Sequence, residues 1–152
     1  MPPQIHQYFS LKDQNTFHID VKARFWAEFA SHEDLVLYYR DEAWRPVPKL
    51  ILGGGSNVLF LKDFPGLVLH SSIRGIDVME EDADSILVNV GAGENWDDFV
   101  AHAVSMGWHG IENLSWIPGF VGTGPVQNIG AYGAEIKDVV EQVEYWSTTD
   151  FG

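Results

Sequence analysis

Between Trp116 and Gly133 the chain runs WIPGFVGTGPVQNIGAYG, with five glycines and two prolines in eighteen residues and no sustained periodicity. Proline removes a backbone donor and glycine weakens both helices and strands, so no long helix or central strand crosses this stretch. A connection of this length inside a domain is uncommon, and when ordered it tends to carry function. A second glycine-rich stretch, LILGGGSNVLF over Leu50 to Phe60, sets three glycines, a serine and an asparagine between two apolar runs. The fold must therefore be assembled from short elements around two irregular backbone segments far apart in sequence.

The flanking sequence supplies those elements. In KARFWAEF, Ala23, Phe25, Ala27 and Phe29 alternate with Arg24, Trp26 and Glu28, the period of a half-buried strand. Ser31 is placed as an N-cap, with Leu35, Tyr38 and Tyr39 on one face of a helix ending near Trp44. PVPKLILGG reads as a buried strand entering the glycines. Short apolar runs follow at Val58 to Leu61 and Leu67 to Leu69, separated by a turn-like KDFPG. A hairpin pairs Ile76 to Met79 with Ile86 to Val90 across EEDAD, a solvated tip. Asn95 then caps a helix whose buried stripe is Trp96, Phe99, Val100, Ala103 and Val104, with Gly107 suited to the C′ position. A last strand, about Val139 to Trp146, leads into turn residues and lacks its returning partner.

The 152 residues suit one folding unit that buries enough surface to need no staple. Nine Lys and Arg against 22 Asp and Glu leave a net charge of −13, which argues against nucleic acid or an anionic membrane surface as partner. Absence of cysteine excludes disulfides and thiolate metal sites and fits a reducing compartment. The N-terminus has no basic region followed by an apolar one, and no run of 18 apolar residues occurs. A soluble, cytoplasmic protein is expected.

Glycine at 53, 54 and 55 lets the backbone take positive φ and brings its N–H groups within reach of a ligand, the makings of an anion nest. Ser56 and Asn57 add a hydroxyl and an amide that fix a ligand or satisfy the turn itself. GGGSNV lacks the last glycine of G-x-G-x-x-G, and a P-loop would need Gly-Lys-Ser/Thr. A plain tight turn satisfies these residues as well. Two glycine segments together suit a long, flat ligand laid along backbone better than two unrelated turns. GAG at Gly91 to Gly93 is either a third wall or a strand-to-helix turn. His6, His18, His32, His70, His102 and His109 never fall into metal-binding spacing, and no G-x-S-x-G elbow occurs. No metal site is expected, and Asp97 and Asp98 read as helix-start charges.

Taken together, NTF at Asn15 to Phe17, LILGGGSNVLF, GAGENW and IPGFVGTGPVQNIGAYG resemble, in order, the N-terminal part of the UDP-N-acetylenolpyruvoylglucosamine reductase (MurB) family. The resemblance covers nearly the whole chain. It implies an α+β fold, an FAD-binding domain of the p-cresol methylhydroxylase and vanillyl-alcohol oxidase type, with subdomains at about 15–72 and 73–152 and FAD between them. By resemblance, Gly53, Gly54, Gly55, Ser56 and Asn57 receive the FAD pyrophosphate. Gly119, Thr123, Val126 and Gly130 match positions lining the flavin, with Ser115 at its entrance. Tyr132 either faces the substrate or is a packed aromatic. Gly124 stands where the family often has a small residue with a side chain. Some relatives of this fold attach flavin through a histidine directly after the glycines; here that stretch is GGGSN, so FAD is expected to be noncovalent.

The family's activity is the NADPH-dependent reduction of UDP-N-acetylglucosamine enolpyruvate to UDP-N-acetylmuramate in peptidoglycan synthesis, and with it cell shape and division. The resemblance thus implies a flavoprotein oxidoreductase with a UDP-sugar substrate and a monomeric parent. Its catalytic Arg, Ser and Glu are expected beyond residue 152, within or next to a substrate domain, so this chain is expected to be an inactive fragment. Two rivals stay open: another flavin oxidase or dehydrogenase of the same fold, and a non-catalytic nucleotide-binding module.

Overall fold

The computed structural model describes residues 4–147, which fall into two units. One holds the chain up to Ser72 together with the stretch from Glu144, and the other is Ile73–Val143. Trp146 belongs to the first unit, where its ring meets Tyr39 edge-on at 5.0 Å and His32 at 5.7 Å.

In the first unit, β1 (Ile5–Ser10) pairs antiparallel with β2 (Lys22–Phe29), while β4 (Phe64–Ser71) runs parallel to both β2 and β3 (Lys49–Leu52), giving the order β1-β2-β4-β3. Parallel neighbours need a crossover. From β2 to β3, which lie on either side of β4, the chain returns through α1 (His32–Arg40), begun by the Ser31 hydroxyl, which accepts the Asp34 N–H at 3.1 Å. The helix stops at Arg40, short of Trp44, where Asp41 donates its N–H to Leu37 and then accepts those of Trp44 and Arg45 to turn the chain.

Three local expectations are corrected. Trp26, expected on the outer face of its strand, is buried, because a register shift between Ala23 and Phe25 breaks the alternation. Its indole lies between Phe9, stacked at 4.6 Å, and His70 at 5.0 Å. β3 was expected to be buried but forms a sheet edge, leaving Ile51 exposed. The KDFPG turn is instead the start of β4, whose Pro65 and Gly66 lie in the strand; a Cβ on Gly66 would sit 2.2 Å from the Pro48 carbonyl oxygen. Of Val58 to Leu61, Phe60 turns into the core with Leu11, Val21 and Leu52, while Leu59 and Leu61 face solvent.

The second unit opens with the expected hairpin, β5 (Ile76–Glu81) and β6 (Ile86–Val90). At its tip the Asp82 carboxylate accepts from the Asp84 and Ser85 N–H groups, which hold its pKa below the ordinary carboxylate range. In α2 (Trp96–Ser105), the Asn95 side chain accepts the N–H groups of Asp97 and Asp98. At the far end Gly107 takes φ 75°, with Trp108 N–H on the Ala103 carbonyl and Gly107 N–H on that of Val104, a Schellman ending. Trp96, Phe99, Val100 and Ala103 are buried as expected, but Val104 is half exposed.

The long glycine loop is not structureless. It contains α3 (Gly124–Gln127), β7 (Gly130–Ala131) and a 3-10 turn at Val121–Thr123, and is flanked by β8 (Ala134–Glu135) and by 3-10 turns at Glu112–Leu114 and Ile136–Asp138. Leu114, Ile129 and Ile136 anchor it to the core of α2. Val139 to Trp146 forms no strand, since no strand among the described residues pairs with it. The turn expected over 148–152 lies outside the described residues. The α+β class holds, with both helices and strands in each unit. Among the described residues no helix is long and apolar enough to cross a membrane.

The triple glycine has a first explanation in the fold. Buried Asn15 shapes the 11–19 turn, donating to the carbonyls of Leu11 (2.6 Å) and Ile19 (3.1 Å) and accepting the Ile19 N–H at 3.0 Å. Thr16 follows and donates both its N–H and its hydroxyl to the Gly55 carbonyl, at 3.3 and 3.2 Å. Gly55 has φ 66°, and a Cβ there would fall 2.0 Å from the Gln14 carbonyl oxygen. The group that comes too close at Gly55 is the chain's own backbone. Gly55→Ala is therefore predicted to cost about 3 kcal/mol, from overpacking and left-handed strain combined. Urea unfolding with an unchanged slope measures it, and a loss under about 0.5 kcal/mol would contradict the assignment.

Candidate functional site

In the first unit, the β3–β4 ladder ends at Leu52 opposite His70, so the amides of Gly53 and Gly54 lie past the last paired residues at the carboxyl end of a parallel strand. Gly54 is exposed, Gly53 and Ser56 are half-buried and Asn57 is exposed. No Lys or Arg occurs from Leu50 to Leu61. The accessible polar groups of this turn are therefore backbone dipoles, a hydroxyl and an amide, a donor set suited to an anion held without a counter-charge.

In the second unit the structure brings GAGEN and the start of the long loop side by side. Trp96 donates its backbone N–H to Gly119 at 3.0 Å, Val121 to Glu94 at 2.9 Å and Gly122 to Ala92 at 3.0 Å. A Cβ on Gly122 would lie 2.6 Å from that of Ala92, so this glycine permits the contact. Below it the Glu94 carboxylate accepts the Gly75 N–H at 2.9 Å and pairs with Arg74 at 3.1 Å, and the Arg74 guanidinium lies over the Phe120 ring. Sequence reasoning missed Gly122, Glu94 and Arg74 because each acts through a partner distant in the chain. GAG forms the turn from β6 into α2, and its Ala92 lies against the start of the long loop.

The remaining site residues are placed as follows. Ser115 closes the 3-10 turn begun at Glu112. Gly119 takes φ 126°. The Thr123 hydroxyl donates to the Phe120 carbonyl at 2.8 Å and accepts its N–H at 3.3 Å, so it holds its own turn. Val126 is exposed on α3, and Asn128 ends that helix in the left-handed region. Gly130 begins β7, where a Cβ would lie 3.0 Å from the Ala134 carbonyl oxygen, a reason for glycine that the hairpin alone supplies. Tyr132 is 91% exposed at φ 53°. Gly124 is buried, and a Cβ would touch the tips of Ile136 at 3.0 Å and Ile129 at 3.3 Å, flexible ends that explain why a small side chain is tolerable there. An open hollow of about 590 Å³ adjoins Asn128, Gly130, Ala131 and Lys137. Among the described residues no group of His, Asp and Glu could hold a metal ion.

Residues 23–150 match the model of a family described as the FAD binding domain. The chain belongs to that family. It is 51% identical over 140 residues to the UDP-N-acetylenolpyruvoylglucosamine reductase of Bacteroides fragilis, covering 92% of this chain and 42% of that protein. It is 46% identical over 143 residues to the enzyme of the same name from Chromobacterium violaceum, covering 94% and 42%. The crystal structure of the Thermus caldophilus reductase (MurB) superposes with a TM-score of 0.66 at 26% identity over 90% of this chain and 46% of that one. The chain thus spans less than half the length of the relatives it matches, and the MurB resemblance carried by its motifs is borne out by them.

Glu94 is a titratable fastening of the platform that GAGEN forms with the long loop. The Gly75 N–H chiefly, with Arg74 assisting, holds its pKa below the ordinary glutamate value against the opposing effect of burial. A carboxylate depressed in the folded state stabilises above its unfolded pKa and stops doing so as pH falls through the folded one. Wild type is therefore expected to melt above Glu94→Gln at pH 7, with the gap closing as pH falls from about 5 to 3. A gap that stays constant over that range in thermal melts would contradict this role.

Proposed function

We propose that this chain holds FAD noncovalently, as part of an NADPH-dependent reductase that converts UDP-N-acetylglucosamine enolpyruvate to UDP-N-acetylmuramate in peptidoglycan synthesis in the cytoplasm. The observation that carries the reading is the match of residues 23–150 to the FAD binding domain, joined by relatives bearing the reductase name. Because the chain spans less than half of those relatives, the complete reaction, its UDP-sugar substrate and a monomeric state are proposed for the enzyme of this type. Holding the cofactor is what is proposed for these residues.

The chemistry of two glycine segments supports that cofactor. FAD carries a diphosphate between two planar ring systems, and the chain offers an exposed glycine turn beyond β3 and a glycine platform along residues 119–124. Gly53, Gly54, Gly55, Ser56 and Asn57 would hold the diphosphate through amides and side-chain dipoles, with no cation from the turn itself. Gly119, Thr123, Val126 and Gly130, with Ser115 beside them, would line the flavin, and Tyr132 would face the substrate. When bound, FAD supplies the two-electron chemistry linking NADPH to the enolpyruvyl double bond. The protein's part is to bind, orient and limit the approach of water.

Gly55 and Gly54 separate structure from binding. Gly54→Val is expected to weaken FAD at least tenfold, about 1.4 kcal/mol, because a branched side chain on an exposed turn fills space next to the amides. Its effect on ligand-free unfolding is expected to stay below about 1 kcal/mol. Flavin titration and urea unfolding check the pair. Equal losses in both would favour a plain turn, and a wild-type chain that does not bind FAD would overturn the proposal.

A further inference from the structure

The long loop presents one side chain that neither the motif resemblance nor its own packing explains. Trp116 has φ 63°, in the left-handed region that bulky residues avoid, and is 88% exposed. Strain of this kind persists only where surrounding structure enforces it, and it concentrates at ligand clamps. Here the enforcement is visible. The Trp116 N–H donates to the Asp97 carboxylate at 2.6 Å, from the first turn of α2. Just before it the Leu114 carbonyl accepts the buried Trp96 indole N–H at 2.7 Å, and just after it the Gly119 carbonyl accepts the Trp96 backbone N–H at 3.0 Å. An exposed indole is thus displayed from a segment pinned on both sides, between Ser115 and Gly119.

We propose that Trp116 is a positioning residue for the cofactor, its indole stacking on a planar ring of bound FAD. This rests on the FAD-holding reading above. A large aromatic surface gains by covering another ring, and stacking tolerates either ring system of the dinucleotide. Asp97 then acts through Trp116: its carboxylate fixes the backbone that aims the indole.

The test uses Trp116→Asn, which removes the ring and accepts the left-handed conformation, and Trp116→Phe, which keeps a ring. FAD, FMN and ADP are titrated by fluorescence or calorimetry, alongside thermal unfolding of the ligand-free proteins. Trp116→Asn is expected to bind FAD about tenfold more weakly while melting at or above the wild-type temperature, and Trp116→Phe to recover most of the affinity. A matching loss for FMN identifies the isoalloxazine as the stacked ring, and a matching loss for ADP identifies the adenine. Unchanged FAD affinity in Trp116→Asn overturns the inference and leaves the FAD reading standing, as does an affinity loss accompanied by a lowered melting temperature. Wild type that binds none of the three ligands overturns both.

Discussion

Buried Trp96 is the interaction on which the second unit depends. Its indole N–H holds the Leu114 carbonyl, its backbone N–H holds that of Gly119, and its ring fills the core beside Phe99. One residue at the start of a capped helix thus fixes both sides of the segment from which the glycine loop departs. The loop can afford an irregular backbone because its ends are set by a rigid element, and buried carbonyls there are satisfied. The Glu94–Val121 and Ala92–Gly122 hydrogen bonds extend the same fastening by two steps.

The glycines divide by what they approach. Gly55, Gly66, Gly91 and Gly122 are required by protein neighbours, since a Cβ on any of them would strike backbone or side-chain atoms within 2.6 Å. Gly54 has an exposed face, and Gly119 adopts a backbone conformation that favours glycine. Each of these glycines lets two stretches of its own unit approach, and Gly53, Gly54 and Gly119 are the open backbone proposed to receive a cofactor. An acidic chain has reason to bind a diphosphate in this way, because oriented amide dipoles hold an anion without adding cations elsewhere.

Elements carried by local signals were legible in the sequence. Ser31 and Asn95 cap the helices they were expected to cap, Gly107 ends α2, and the β5–β6 hairpin forms around its acidic tip. Features set by partners distant in the chain were not. Trp26 is buried by a register shift, Pro65 and Gly66 enter β4 because Pro48 lies alongside, and Val139 to Trp146 has no ladder to join among the described residues. For the site, the glycine segments were legible as chemistry, but the split between glycines needed for packing and those open to a ligand was not, because no periodicity encodes which backbone comes close. The strained, exposed Trp116 was equally invisible, since its φ is imposed through Asp97 and Trp96.

Amide hydrogen exchange, followed residue by residue with and without FAD, tests the central claim most directly. The account predicts that FAD slows exchange at Gly53, Gly54, Ser56 and Asn57 and also along Ser115 to Gly130, while the β5–β6 hairpin is unchanged. Protection absent from both glycine segments, or confined to residues outside them, would contradict it.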